Sequence, residues 1–121
     1  MTSDQYQRAL KKQNAILRYL QMAFQYEKQK QSKLTLENYL KAYEIDQCAG
    51  LVAVCRGGLA DNYEALGNYQ EALRHVEWFL EELKPAEPLF AETVITQKRL
   101  LRKIETQKRG GKIEDSKPAA A

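Results

Sequence analysis

The sequence is poor in the features that build metal sites, disulfide frameworks and membrane spans. It holds two cysteines and one histidine, and no stretch approaches the ~18 consecutive apolar residues of a membrane helix. Cys48 and Cys55 are seven residues apart, which on one continuous helix separates them by about 10 Å, too far for a disulfide. A structural zinc site would lack ligands. We therefore expect buried thiols, no metal and no membrane span.

Basic charge is in small excess and unevenly placed. The net charge of +3 is too small to indicate nucleic acid by itself. Residues 96–112 nevertheless carry seven basic side chains against Glu105 alone, so this segment has a net charge of +6 and the remainder −3. The first ten residues, MTSDQYQRAL, lack the apolar core of a signal peptide. We expect a cytoplasmic protein, with the nucleus left open as an alternative.

Motifs for phosphate binding and catalysis are missing as well. The stretch CRGGLADNYEALGNYQEAL, residues 55–73, contains three glycines. It has neither the G-x-x-x-x-G-K-[ST] of a P-loop nor the G-x-G-x-x-G of a dinucleotide fold. His75 lies four residues after Glu71, a spacing that predicts a surface ion pair better than a general base. We expect no catalytic residue, no cofactor and no small-molecule substrate, and an enzyme is the least favoured class.

Apolar residues recur at three- and four-residue steps along most of the chain, which predicts an all-α protein of about five helices. Thr2 with Gln5 can form a capping box at the first helix, and Ser32 can cap the second. Gly67–Asn68 predicts a tight turn between the third and fourth helices. Pro85 and Pro88 interrupt the pattern before the fifth. Short connections favour antiparallel helical hairpins.

The chain also contains an internal repeat. A shift of 37 residues aligns Leu36 with Leu73, and Tyr26 with Tyr63. The first copy is degenerate, because Lys30 aligns with Gly67 at the turn. We predict one helical domain over 1–108 and a disordered tail over 109–121. Within the domain, 14–45 is the degenerate repeat, 49–85 the clear repeat and 87–108 a solubilising end helix.

The clear repeat resembles a known family. LADNYEALGNYQEALRHVEWFLEELKP, residues 59–85, looks like a tetratricopeptide repeat. Its small-packing pair falls on Leu59 and Ala60, its turn glycine on Gly67 and its second-helix small residue on Ala72. The longer segment from Asp46 to Leu83 is most similar to the roughly 40-residue repeats of mitotic-spindle adaptors. Arg56 and Phe79 depart from the pattern, and the proline comes one residue late. The resemblance implies a fragment of a right-handed solenoid.

The resemblance also implies a concave groove formed by the first helix of each hairpin, in which a peptide of a partner protein binds. By count, the groove positions are Leu17, Leu20, Gln21, Phe24 and Glu27 in the degenerate repeat, and Val54, Gly57, Gly58, Asp61 and Glu64 in the clear one. The family's carboxylate clamp uses Lys and Asn at these positions, whereas this chain has Gly57 and Asp61. A ligand with basic or apolar anchors therefore fits better. The implied function is a non-catalytic adaptor or scaffold.

Two alternatives stay open. Fewer than ~3 clear repeats rarely fold alone, so the groove could be filled by another copy or another chain, which makes the protein an assembly subunit. The last helix also offers a candidate basic contact face at Lys98, Arg99, Arg102 and Lys103. This face is either solvated or attracts an acidic partner or an anionic membrane surface. RNA is disfavoured because no aromatic residues are interleaved.

Overall fold

The computed structural model describes residues 2–45 and 51–110. These residues form five α-helices and no strand, so the all-α fold class is confirmed. The helices are α1 (Ser3–Lys28), α2 (Ser32–Ile45), α3 (Val52–Ala65), α4 (Tyr69–Glu82) and α5 (Pro88–Lys108). No helix within these ranges is long and apolar enough to cross a bilayer. Residues 46–50, which include Cys48, and the part of the predicted tail from residue 111 onward lie outside the described residues.

The predicted start of the first helix is found where the sequence places it. The Thr2 hydroxyl accepts a hydrogen bond from the Gln5 backbone N–H at 3.1 Å. In return, the Thr2 backbone N–H donates to Gln5 Oε1 at 2.8 Å. This reciprocal pair satisfies two donors that the first turn leaves free. The second helix has Ser32 as its first helical residue, so Ser32 lies inside the helix and is not the flanking cap that the sequence predicts.

The 37-residue repeat is visible in the backbone. A shift of 37 residues places Ser32–Ile45 on Tyr69–Glu82, so α2 and α4 have the same length and equivalent ends. Gly67 ends its hairpin turn with a left-handed φ of 82°, and Lys30 adopts a φ of 57° at the equivalent position. Both turns close with the same hydrogen bonds, from the N–H of Gln31 to the carbonyl of Tyr26 and from Asn68 to Tyr63. Lys30 thus adopts a left-handed backbone that glycine would adopt without strain. The first copy keeps the turn although its sequence lacks the glycine.

Each helix packs against the next one along the chain. Two clusters of buried side chains result. The first joins α1, α2 and α3 through Ile16, Leu20, Ala23, Tyr39, Ala42, Cys55 and Leu59. The second joins α3, α4 and α5 through Ala60, Tyr69, Ala72, Val76, Leu100 and Ile104. Cys55 is buried, as predicted.

The last helix is held at its C-terminal half. Leu100 and Ile104 are its buried apolar residues, and Gln107 Nε2 donates to the carbonyl of Gly67 at 3.2 Å. The helix begins at Pro88, which the first turn of a helix tolerates because its missing N–H has no partner there. The N-terminal half of α5 carries few large apolar side chains toward α3, and a cavity forms at this end.

Candidate cavity between the third and fifth helices

An open cavity of about 290 Å³ lies between α3 and α5, with α4 as its floor. Its floor is apolar and its sides carry polar and acidic groups. The lining residues are Gly57, Ala60, Asp61, Glu64, Val76, Phe79, Leu89, Glu92, Thr93 and Thr96. The volume is close to the lower end of the range for ligand pockets. It is therefore large enough for one or two side chains of a ligand.

Short side chains on both walls explain why this space is not filled. Gly57 contributes no side chain from α3, and Thr93 and Thr96 contribute short ones from α5. The repeat shows what has changed, because Gly57 is equivalent to Leu20, which is buried in the first cluster. Phe79 is equivalent to buried Ala42 and reaches within 3.9 Å of where a Cβ on Gly57 would lie. In the first repeat the large side chain, Leu20, is on the first helix of the hairpin. In the second repeat the large side chain, Phe79, is on the second helix, and it fills the space only in part.

One of the acidic residues in the cavity wall is neutralised within the fold. The Glu64 carboxylate accepts hydrogen bonds from Arg99 Nε at 2.7 Å and Nη2 at 2.9 Å. It also accepts one from Lys103 Nζ at 2.9 Å. Burial alone would raise the pKa of Glu64, but the hydrogen bonds and charges of Arg99 and Lys103 outweigh it and lower the pKa below its usual value. Glu64 is therefore ionised, and its ion pairs with Arg99 and Lys103 join α5 to α3.

The neighbouring Asp61 is in a different electrostatic environment. Its pKa is raised, first because the protein displaces water around the carboxyl, then because the Glu27 and Glu64 carboxylates repel its charge. The attraction of Arg99 only partly offsets these effects. Glu92 adds a third carboxylate on the α5 side, and no basic side chain lines the cavity in the described part of the chain. The site therefore combines an apolar floor with excess negative charge.

The structure separates the predicted groove residues into three groups. Gly57, Asp61 and Glu64 line the cavity. Leu17, Gln21, Phe24, Glu27 and Val54 are exposed but are not part of its walls. Two predictions are wrong, because Leu20 is buried in the first cluster and Gly58 is buried against α2. A Cβ on Gly58 would lie only 2.3 Å from the ring of Tyr39, so Gly58 permits close helix packing and contacts no ligand.

The predicted basic contact face is also corrected in part. Lys98 and Arg102 are exposed, as that prediction requires. Lys103 is buried, and both Lys103 and Arg99 point back to Glu64 on α3. Lys103 therefore presents no cation to the outside, whereas the Arg99 side chain stays 37% exposed while it binds Glu64. Sequence spacing could not reveal this ion cluster, since Arg99 lies 35 residues from Glu64.

His75 was predicted on the surface, and this prediction is wrong. It is 3% exposed, stacked on Tyr63 with ring centroids 5.9 Å apart and edge-on to Tyr43. Arg56 fills the space beside it, with its guanidinium 4.9 Å from the Trp78 ring and Nη2 donating to the Tyr43 hydroxyl at 2.9 Å. Burial, then the charges of Arg56 and Arg74, lowers the pKa of His75 to about 4. Its ring is neutral near pH 7.

Glu71 pairs with Arg74 at 3.2 Å instead of with His75. The equivalent of His75 in the first copy is Asn38, which is also buried. The sequence marks Phe79 as a departure from the family pattern, and the structure places Phe79 and Val76 in the cavity floor. Leu89, Thr93 and Thr96 carried no signal, because α5 has no partner copy in the repeat.

The described residues contain no group of three or more His, Cys, Asp or Glu side chains arranged to hold a metal ion. No family model, curated protein or solved structure matches the chain. The cavity and its surroundings are the features of the chain that indicate a function.

Proposed function

We propose that this chain is a non-catalytic protein-interaction module, an adaptor or scaffold that holds a peptide segment of another protein in the cavity between α3 and α5. The observation that carries the proposal is the combination of an apolar floor with an acidic rim. Such a cavity excludes water around one or two ligand side chains while its rim selects for charge. In this proposal the chain needs no cofactor, and the ligand is a peptide and not a small-molecule substrate.

We also propose that the helical hairpins are tetratricopeptide-like. Support comes from the 37-residue spacing of helix ends and of the left-handed turn residues Lys30 and Gly67. In that architecture the first helices of successive hairpins face the groove, which here are α1, α3 and α5. The cavity between α3 and α5 then occupies part of the concave surface.

The test fills the cavity without disturbing the core. A Cβ on Gly57 meets only Phe79, at an ordinary contact distance of 3.9 Å, so Gly57→Leu directs a side chain into the open space. Gly57→Ala is the matched control, because it changes the backbone in the same way and leaves most of the volume free. A phage-displayed library of random peptides is selected on the full chain, and the binders are then measured against both variants.

We expect peptides that bind the wild type and the Gly57→Ala variant, and at least tenfold weaker binding to the Gly57→Leu variant. Far-UV circular dichroism of the three proteins verifies that they are equally helical. Selection of no peptide, or equal binding to the Gly57→Leu variant, contradicts the proposal.

The second candidate is an assembly subunit whose exposed surface is covered by another copy or another chain. A specific observation supports it: Tyr6, Leu10, Leu17 and Phe24 all lie on one side of α1, and each is more than a third exposed. Residues 3–14 of α1 are exposed throughout. Sedimentation velocity at two concentrations tests this reading, and a monomer at both contradicts self-assembly.

A further inference from the structure

The two equivalent glutamates of the repeat have different charged neighbours. A shift of 37 residues places Glu27 of α1 on Glu64 of α3. Glu64 is held by Arg99 and Lys103 from the following first helix, α5. Glu27 acts as a like charge on Asp61 of the corresponding following first helix, α3, and its carboxylate accepts a hydrogen bond from the Tyr39 hydroxyl of α2. One interface therefore supplies two cations to its glutamate, and the other supplies a second carboxylate.

The charges around Glu27 and Asp61 confirm this imbalance. The side chains that act electrostatically on Asp61 are Glu27, Glu64 and Arg99, and the last two already bind each other. The charge of Glu27 also contributes, after burial, to raising the pKa of Tyr39 to about 12. The acid pair is thus a site of excess negative potential directly beside the apolar cavity, because Asp61 belongs to both.

We infer that the peptide ligand supplies the missing cation: it carries a lysine or arginine that binds between Asp61 and Glu27, next to an apolar side chain that enters the cavity over Phe79. This inference rests on the proposed function and adds the chemical class and direction of the ligand. The apolar residue lies toward α5, and the basic residue lies toward α1. On the α5 side, Glu64 is already bound by Arg99 and Lys103, and Glu92 is the remaining carboxylate of the lining.

Arginine and lysine suit this position for different reasons. A guanidinium can bind a carboxylate through the two prongs of its planar fork, whereas an ammonium acts as a point charge. Either one relieves the repulsion of two like charges, so the bound state gains more than an isolated pair on an open surface would. The ligand cation takes the place that Arg99 and Lys103 hold in the second interface.

The experiment uses the peptides selected on the full-length chain by phage display, with affinities measured by fluorescence polarisation. We expect selected peptides to share a basic residue close to a Leu, Ile, Met or Phe. Asp61→Asn should weaken their binding roughly tenfold, as expected for loss of a charge-assisted hydrogen bond. Glu27→Gln should weaken it several-fold. Glu105→Gln, at an exposed position of α5 that does not line the cavity, is the matched control and should change affinity less than twofold.

A charge reversal gives the sharper result. Selection on the Asp61→Lys variant should enrich acidic in place of basic residues beside the same apolar anchor. Circular dichroism of that variant verifies that it is folded, and Asp61→Asn provides the same test without an added charge. Peptides that lack a basic residue, or that bind the wild type and the Asp61→Asn variant equally, overturn this inference. If those peptides still lose binding to Gly57→Leu, the proposed function stands without it.

Other occupants give distinct outcomes. If no peptide is selected and the chain self-associates in a manner abolished by Asp61→Lys, the occupant is a second copy and the inference of a foreign peptide is wrong. If no peptide is selected and the chain is monomeric, both the inference and the proposed function fail.

Discussion

The adjacent glycines of α3 should respond in opposite ways to the same substitution. A Cβ on Gly57 would meet only Phe79, at 3.9 Å, whereas a Cβ on Gly58 would lie 2.3–2.4 Å from three atoms of the Tyr39 ring. Alanine is favoured over glycine in a helix interior by up to ~1 kcal/mol. At Gly57 nothing opposes this gain, so Gly57→Ala should raise the free energy of unfolding by about 0.5–1 kcal/mol.

At Gly58 the same gain is outweighed by the clash. The Tyr39 ring must move by about 1 Å to restore ordinary contact with the new methyl group. It has little room, since Tyr39 is 3% exposed and packs edge-on against Phe24 with centroids 6.1 Å apart. Overpacking a core typically costs ~1–3 kcal/mol. After the helix-propensity gain is subtracted, Gly58→Ala should lower the free energy of unfolding by about 1–2 kcal/mol.

Urea denaturation followed by far-UV circular dichroism measures both variants. A double-mutant cycle with Tyr39→Leu isolates the contact, because the smaller side chain makes room for the methyl group. Gly58→Ala should cost at least ~1 kcal/mol less in the Tyr39→Leu background than in the wild type. If the Gly58→Ala variant is as stable as the Gly57→Ala variant, or if the cycle shows no coupling, the packing of α2 on α3 described here is wrong.

Three further predictions concern the buried charges. Glu64→Gln should lower the free energy of unfolding by about 2 kcal/mol, because it removes a carboxylate that binds two cations. The exposed pair of Glu105 with Arg109 is the control, and Glu105→Gln should cost less than ~0.5 kcal/mol in the same urea titration. His75 has a lowered pKa in the folded state, so the unfolded chain binds more protons between pH ~6.5 and ~4 and stability falls as the pH drops through this window. From pH 7 to pH 5 the loss should be about 2 kcal/mol larger in the wild type than in His75→Gln, and equal slopes would contradict the burial of the ring. Arg56→Ala should raise the pKa of His75 toward its usual value, because a nearby positive charge is removed. An NMR titration of the single histidine measures this pKa, and an unchanged value would mean that Arg56 does not contact His75.

Local signals in the sequence were reliable where the physics is local. The capping box of Thr2 and Gln5 involves residues three apart, and the left-handed turn at Gly67 follows from the freedom of one residue. The 37-residue shift also held, including at Lys30, where the sequence lacks the expected glycine but the backbone keeps the turn.

The helix face on which an individual residue lies was harder to predict than the helix boundaries. Successive residues on a helix point about 100° apart, so placing Gly57 and Gly58 together in the groove joined two different faces. One glycine lines the cavity, and the other contacts the core. His75 was misplaced because its neighbours in sequence are charged, while its actual partners come from α2 and α3. Such partners are 12 or more residues away along the chain, beyond the range over which helical spacing predicts contacts.

The same glutamate that stabilises the fold also shapes the proposed binding site. Glu64 forms part of the cavity wall and holds α5 through Arg99 and Lys103, so its removal should weaken both folding and ligand binding. Asp61 lines the same cavity but binds no cation as tightly, and Asp61→Asn removes repulsion with Glu27 from the folded state. This substitution should therefore leave stability unchanged or slightly raised while it weakens binding of a basic peptide. A loss of stability in Asp61→Asn as large as that in Glu64→Gln would mean that the Asp61 carboxylate also stabilises the fold. The assignment of Glu64 to folding and Asp61 to ligand binding would then be wrong.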